Sequence, residues 1–321
     1  MVNIPSTFQG YEFANYSDAL SETKLNTEMK QKPLGPKDVR LKVVSASVNQ
    51  IDYKLHYFGA AVIAVGPTPE KPLRMGFDLS GIVVEVGSGD VRGFKVGDAV
   101  FGSCDMASMG SFAQYVTLEA DHIALKPSNV TFIEAGGVSI TSLASYQGLV
   151  NRAHVQEGQR ILILGGGSAS GQFGIQIAKA FGAEVITTAS PRNAELVKSL
   201  GADQVIDYTT EKWGTVLAEH SVDVIYDCSV EPESWSTDAQ KILKKNTGKF
   251  LTIGISIGAT LIQYYCHPIA EDLEGLRKLI EAGQLKTTID SMYPFNDLHG
   301  AFKRLMSGKV QGKVILEIAK E

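Results

Sequence analysis

The chain has 321 residues, 44% of them hydrophobic and 20% charged, with a formal net charge of −5. That balance predicts an ordinary globular protein with about two domains, and the acidic surplus argues against a protein built mainly to grip nucleic acid or anionic membrane. No uninterrupted apolar run reaches the ~18 residues of a membrane span, and MVNIPSTFQGYEF lacks the basic start and apolar core of a secretory signal.

Three cysteines, Cys104, Cys228 and Cys266, are odd in number, far apart and form no CxxC. This spacing predicts neither a disulfide framework nor a thiolate metal cluster, and it fits a reducing, cytoplasmic setting. Residues 1–125 read as mainly β. VRLKVVSASV (39–48) alternates in part, GIVVEV (81–86) is a short apolar strand, Ala99–Phe101 follows Gly97-Asp98, and FAQYVTL (112–118) alternates again. Gly and Pro punctuate these runs, as in a compact antiparallel sheet or partial barrel.

From about Phe132 the period changes. One helix is predicted over Ile133–Val150, weakened at its start by Gly136-Gly137. Strands at Ile161–Leu164, Glu184–Thr188, Gln204–Ile206, Val222–Tyr226 and Lys249–Gly254 then alternate with helices at Ser170–Phe181, Asn193–Leu200 and Lys212–Glu219, and with one more before Lys249. Such alternation predicts βαβ units and a doubly wound parallel sheet. After Cys266 come a helix (Glu271–Ala282), a strand near Ile289, a helix (Leu298–Met306) and a strand (Lys313–Ile318). That tail is too short to stand alone and is expected to pack onto the N-terminal region.

GGGSASG (165–171) joins the first of these strands to its helix. A dinucleotide fingerprint needs G-x-G-x-x-G at that junction, where the helix N-terminus offers amides and a positive dipole end to phosphates. Gly166 and Gly171 hold the outer places, and the middle one is Ser168. Serine can donate to a phosphate, but its Cβ restricts the backbone. The motif alone leaves two readings, a phosphate cradle or a tight structural turn. The second strand, EVITTAS, lacks the terminal carboxylate that holds a free ribose hydroxyl. It runs into Ser190-Pro191-Arg192, which suits a 2′-phosphate and equally a capped helix start.

With these residues in view, the chain resembles the zinc-independent quinone oxidoreductases of the medium-chain dehydrogenase/reductase superfamily, a group that includes plant enone reductases and zeta-crystallin. The resemblance runs through ASVNQIDYK (46–54), GFDLSGIVVEVGSG (76–89), FKVGDAVFG (94–102), GSFAQYV (110–116), FGIQIAKAFGAEVITTAS (173–190), NAELVKSLGADQVIDY (193–208), LIEAGQLKTTID (279–290) and GKVILEI (312–318). It implies an α/β protein. A GroES-like partial-barrel catalytic domain (1–126 and 267–321) would carry an inserted Rossmann NADPH-binding domain (127–266), with the active site in the cleft and a homodimer as the assembly. The family's A-x-G-G-V-G phosphate loop is altered here. Its L-T-A-Y segment is Leu143-Ala144-Ser145-Tyr146, which shifts a hydroxyl to Thr141 or Ser145.

In zinc-using relatives the ligand places align with Asn49, Phe77 and Ile140. Asn49 is a poor zinc ligand and the other two are none, so the resemblance implies metal-free chemistry on an acceptor already polarised, a quinone or an enone. In NQIDYK, the Asn49 amide can orient cofactor ribose or substrate oxygen, and Tyr53 or Lys54 can donate a hydrogen bond or proton. The resemblance favours Lys54, whose place is cofactor-proximal in the enone reductases. Asp52 is expected to organise the loop. For the cofactor the reading carries over Gly166, Ser168, Ala169, Ser170, Gly171, Ser190, Arg192 and Tyr208, with Gly254 and Lys313 as further positions. SCDMASM (103–109) is expected as a substrate-cleft loop. The implied activity is an NADPH-dependent reductase of quinones or α,β-unsaturated carbonyls. A non-catalytic NADPH-binding protein of the zeta-crystallin kind and an enoyl-thioester reductase remain as alternatives.

Overall fold

The computed structural model describes residues 4–63, 66–253, 262–263 and 266–320. The chain divides into two compact units, one of residues Met1–Ile140, His267–Glu281 and Ile289–Glu321, the other of Thr141–Cys266 and Ala282–Thr288.

The first unit is built around the strand Asp38–Val48, eleven residues of which only Lys42 is exposed. Three strands pair with it antiparallel: Asp78–Val86, Tyr115–Glu119 and the final strand Lys313–Glu317. Ile289–Pro294 runs parallel to the final strand and closes that edge. The tail therefore does pack onto the N-terminal region, because a lone strand leaves its ladder unpaired until another edge accepts it. Beneath the sheet, Leu41, Val43, Phe112, Val314, Leu316 and Phe302 form the apolar core. Phe302 comes from the helix Leu298–Met306, whose start is capped by Asp297 accepting from the Gly300 amide at 3.0 Å.

A helix at Gln50–Val62 interrupts the expected run of strands. Its buried positions Asp52, Leu55, His56 and Gly59 follow helical spacing. Two of the four are polar, so no apolar period marks the helix in the sequence. Gly59 is required there, since a Cβ would drive into the Tyr16 ring. The single helix expected over Ile133–Val150 is instead Phe132–Ala135, then Ser139–Tyr146, then a wide π turn over Gln147–Ala153. The break sits at Gly136, where a Cβ would collide with the Ser45 hydroxyl. Thr131 and Glu134 cap the short first piece reciprocally.

The second unit is a six-stranded parallel sheet in the order Gln204–Asp207, Glu184–Ala189, Arg160–Leu164, Val224–Asp227, Lys249–Thr252, Ile262–Gln263. Numbered from its own first strand the order is 3-2-1-4-5-6, the doubly wound arrangement with its switch point between strands one and four. Leu162, Leu164, Ile186, Ile206 and Phe250 supply its core. The helix expected over Lys212–Glu219 is one turn, Trp213–Val216.

Candidate active site

In the second unit, the strand Arg160–Leu164 delivers Gly165–Gly167 to the switch point. Gly165 has φ +77°, the left-handed region glycine tolerates. Its amide donates to Thr188 Oγ1 at 2.9 Å, tying the turn to the second strand. A Cβ on Gly166 would collide with Thr187 Oγ1, and one on Gly171 with the Gly165 carbonyl. The glycines are thus needed by the turn itself. Ser168 is the N-cap of the helix Ala169–Ala180: its hydroxyl accepts from the Gly171 amide at 3.0 Å and donates to the Gly165 carbonyl at 2.8 Å. Its one proton is spent inside the loop. The remaining first-turn amides, on Ala169 and Ser170, lack intrahelical partners by helix geometry. Two unspent donors and a positive dipole end at a switch point fit a pyrophosphate.

Ser145 donates to the Ser170 carbonyl at 2.8 Å and accepts from the buried Tyr226 hydroxyl at 3.3 Å. Its oxygen therefore braces the loop from behind. Ser190 caps the helix Pro191–Ser199 by position only, because its hydroxyl makes no cap hydrogen bond. Arg192 and Tyr208 are exposed, Tyr208 by 59%. Glu184 stands at the far end of its strand, paired with Arg160 at 2.9 Å. Gly254 lies outside the described residues.

One group at the switch point escaped the sequence reading. Asp227, fully buried, accepts from Thr252 Oγ1 at 2.8 Å and from the Ser229 and Glu231 amides. Burial still raises its pKa. It shapes the loop after the fourth strand, and only its place at a strand end could have signalled it. Cys228 beside it is buried, and desolvation with the Asp227 charge pushes its thiol well up, so it is packed rather than reactive.

In the first unit, Asn49 begins the helix Gln50–Val62. Asp52 Oδ2 accepts the Asn49 amide at 2.6 Å, which organises the turn as expected. Asp52 Oδ1 is buried without a partner, and desolvation raises this carboxyl well above its usual range. The Asn49 side chain is engaged on every side. Nδ2 lies 3.0 Å from Asp78 Oδ2 and 3.2 Å from the Ser47 carbonyl, and Oδ1 accepts from Lys313 Nζ at 2.5 Å. Lys313 also pairs with Asp78 at 3.0 Å, and both are essentially inaccessible. The expectation that Lys313 meets cofactor finds its ammonium 2% exposed and paired inward.

Tyr53 follows Asn49 by one helical turn and shares its face. Its ring is half-buried, edge-on to Phe302 at 6.5 Å. Burial raises its pKa, so the phenol keeps its proton. Lys54 points elsewhere, exposed and bonded to Gln50 Oε1 at 2.6 Å. Tyr57, one further turn along the Asn49–Tyr53 face, is 60% exposed. Its i+4 spacing was the signal for it. In the 103–109 loop Met109 is buried against Leu55 and Phe77, while Met106 is 39% exposed.

Comparison with known proteins agrees with this geometry. Residues 35–128 match the alcohol dehydrogenase GroES-like domain and residues 200–316 the zinc-binding dehydrogenase family. The 2-methylene-furan-3-one reductase of Solanum lycopersicum is 32% identical across 98% of this chain and 80% of its own. The NADPH-dependent alkenal/one oxidoreductase, chloroplastic, of Arabidopsis thaliana is 31% identical over the same shares. The quinone oxidoreductase of Coxiella burnetii superposes with a TM-score of 0.83 at 27% identity, covering 97% of this chain and 99% of its own. The chain belongs to the medium-chain dehydrogenase/reductase superfamily. Within it the chain is zeta-crystallin-like, among the quinone oxidoreductases and enone reductases.

Zinc, which one matching family is named for, does not fit these residues. Phe77 is packed with Leu55 and Met109, Ile140 is apolar, and the Asn49 amide is consumed by an ion pair. Among the described residues no group of three or more His, Cys, Asp or Glu is placed to hold a metal. None of them forms a helix long and apolar enough to cross a membrane.

Proposed function

We propose that this chain reduces quinones or α,β-unsaturated carbonyls with NADPH and without a metal. The observation that carries the reading is the switch-point loop. It presents an unspent helix N-terminus and is followed by a strand ending in Ser190-Pro191-Arg192 instead of a carboxylate. Support comes from relatives named as an NADPH-dependent alkenal/one oxidoreductase and a furanone reductase.

In this reading the second unit holds the cofactor. NADPH supplies the hydride. Ala169 and Ser170 bind pyrophosphate through their amides, and Ser190 and Arg192 bind the 2′-phosphate, Arg192 by a charge-assisted contact. The exposed Tyr208 phenol stands at the end of the third strand, on the nucleotide side. Tyr53 holds the proton that the reduced acceptor takes up, because its phenol is kept protonated and no hydrogen bond engages it among the described residues. Lys54 contributes positive charge near the same helix start. We assign the protein to the cytoplasm and to a homodimer of the 34.5 kDa chain, which light scattering would weigh.

Steady-state oxidation of NADPH with a panel of quinones and alkenones tests the proposal. Turnover with either class is expected. Binding of NADPH with no turnover would turn the reading to a non-catalytic protein, and turnover confined to crotonyl thioesters to an enoyl-thioester reductase; an Aspergillus terreus relative at 29% identity is named a trans-enoyl reductase.

A further inference from the structure

The inward face of the helix Gln50–Val62 carries a histidine that bonds to nothing. His56 is 1% exposed, and neither ring nitrogen has a hydrogen-bond partner among the described residues. Its surroundings are aromatic. The Phe13 ring lies 4.2 Å from the imidazole with the planes 41° apart, and the Tyr16 ring stands 6.0 Å beyond Phe13. Tyr16 in turn closes over Gly59, one turn along the helix from His56, and its hydroxyl is buried without a partner as well. A polar group buried without a hydrogen bond is costly. Phenylalanine would fill the same place without that cost. What histidine adds is a proton gained just below neutral pH.

The charges that reach this ring come from one stretch of chain. After Phe13 the backbone turns through Tyr16 into the short helix Ala19–Glu22, which lies against the helix Gln50–Val62. Asp18 and Glu22 both favour an imidazolium, yet neither bonds to it. Asp18 accepts the Ser21 amide at 2.8 Å as the cap of the short helix, and Glu22 accepts from Asn15 Nδ2 at 3.3 Å. Burial outweighs their attraction and lowers the His56 pKa from its ordinary 6.5. Two other groups share the region. Asp52, one turn earlier on the same helix, has its carboxyl raised by burial, and the buried Tyr16 phenol is raised as well, so it stays neutral.

We propose that His56 is an acid-sensitive latch. Neutral, it holds residues 14–22 closed on the helix Gln50–Val62 through Phe13 and Tyr16. Protonated, it releases that segment, because an imidazolium needs water or the Asp18 and Glu22 carboxylates around it. The folded packing disfavours the charged ring. Its contribution to stability is therefore full above about pH 6.5 and drains as pH falls toward the lower folded value. The helix held in this way begins at Asn49 and carries Tyr53, so acid loosens the packing along one side of it. The latch lies within the first unit and does not rest on the reductase reading.

Hydrogen exchange of the Glu22 and Thr23 amides, which donate to the Asp18 and Ala19 carbonyls at 3.0 and 3.3 Å, reads the latch directly. Corrected for the intrinsic pH dependence of exchange, their protection in the parent should fall about three- to tenfold between about pH 7.5 and about pH 5.5, the range that one linked proton allows. His56→Phe keeps a ring against Phe13 and cannot titrate, so its protection should stay level over the same window. Parent and variant share every other titratable group, so the difference belongs to His56. Amides of the central strand Asp38–Val48 should hold in both proteins. Profiles that coincide, or a loss shared equally by the central strand, would overturn the proposal. Where phenylalanine is too large to fold, His56→Leu carries the same comparison. Should neither variant fold, the parent decides: a fall confined to Glu22 and Thr23 sustains the latch, and level protection across the window overturns it.

Discussion

Arg192 is the residue on which cofactor choice turns. No carboxylate ends the strand Glu184–Ala189, and Glu184 is held by Arg160 at the opposite end. The end of that strand itself carries no charge to repel a 2′-phosphate. A charge-assisted hydrogen bond contributes roughly 1.5–3 kcal/mol, a preference of roughly 10- to 150-fold at 1.4 kcal/mol per decade. Arg192→Ala should therefore raise the Kd for NADPH at least about tenfold, leave that for NADH nearly unchanged, and matter less at high salt. Titrating both nucleotides against both proteins at two ionic strengths checks it. Tyr53→Phe keeps the ring against Phe302 and removes only the phenolic proton. It should lower kcat about a hundredfold on an enone, at the low end for general acids, without moving Tm or the NADPH Kd. At this scale spacing marked the glycines, while Asn49, Tyr53 and Lys54 came from the resemblance, which preferred Lys54. The sequence could not say that Lys313 pairs with Asp78, since that depends on chain returning from elsewhere.

Among the elements, those with one apolar face or a run of β-branched residues were legible. The helix Leu298–Met306 and the strands Arg160–Leu164 and Glu184–Ala189 stand within a residue of their expected bounds. The helix Gln50–Val62 was not, because its inward face carries Asp52 and His56. The weak point at Gly136-Gly137 was legible, but not the full break, which answers to Ser45 some ninety residues earlier. The tail offers a test of how elements are held. Arg304, on the last helix, forks onto Asp290 of the neighbouring strand at 2.7 and 2.6 Å. This pairing lowers the Asp290 carboxyl to about 2 from 3.8. A folded pKa below the unfolded one gives stability that is full above the unfolded value and fades as pH falls through the folded one. The loss on acidification between about pH 4 and pH 2 should amount to ~1–2 kcal/mol, because Arg304 is partly solvated. Denaturant melts of parent and Arg304→Ala across that window should differ at neutral pH and converge at the acid end.

For the whole molecule, the doubly wound character of the parallel sheet and the placement of the glycine loop follow from alternating periods that any reader of the sequence can count; the order of its strands does not. The buried polar stripe of Ser45, Ser47 and Asn49 is written as alternation too, with the polar members facing inward. The charged partner of the stripe arrives only with the returning strand that brings Lys313. The proposed reductase draws its cofactor grip from backbone amides and Arg192, and carries a fixed internal cation in Lys313. The most direct measurement is the initial rate of nucleotide oxidation by chelator-dialysed protein, with a quinone and an alkenone, using NADPH and NADH in parallel. On the reductase reading, turnover is undiminished by dialysis and NADPH is preferred by roughly tenfold or more. Activity that vanishes with the chelator and returns with zinc, or equal use of the two nucleotides, would contradict it.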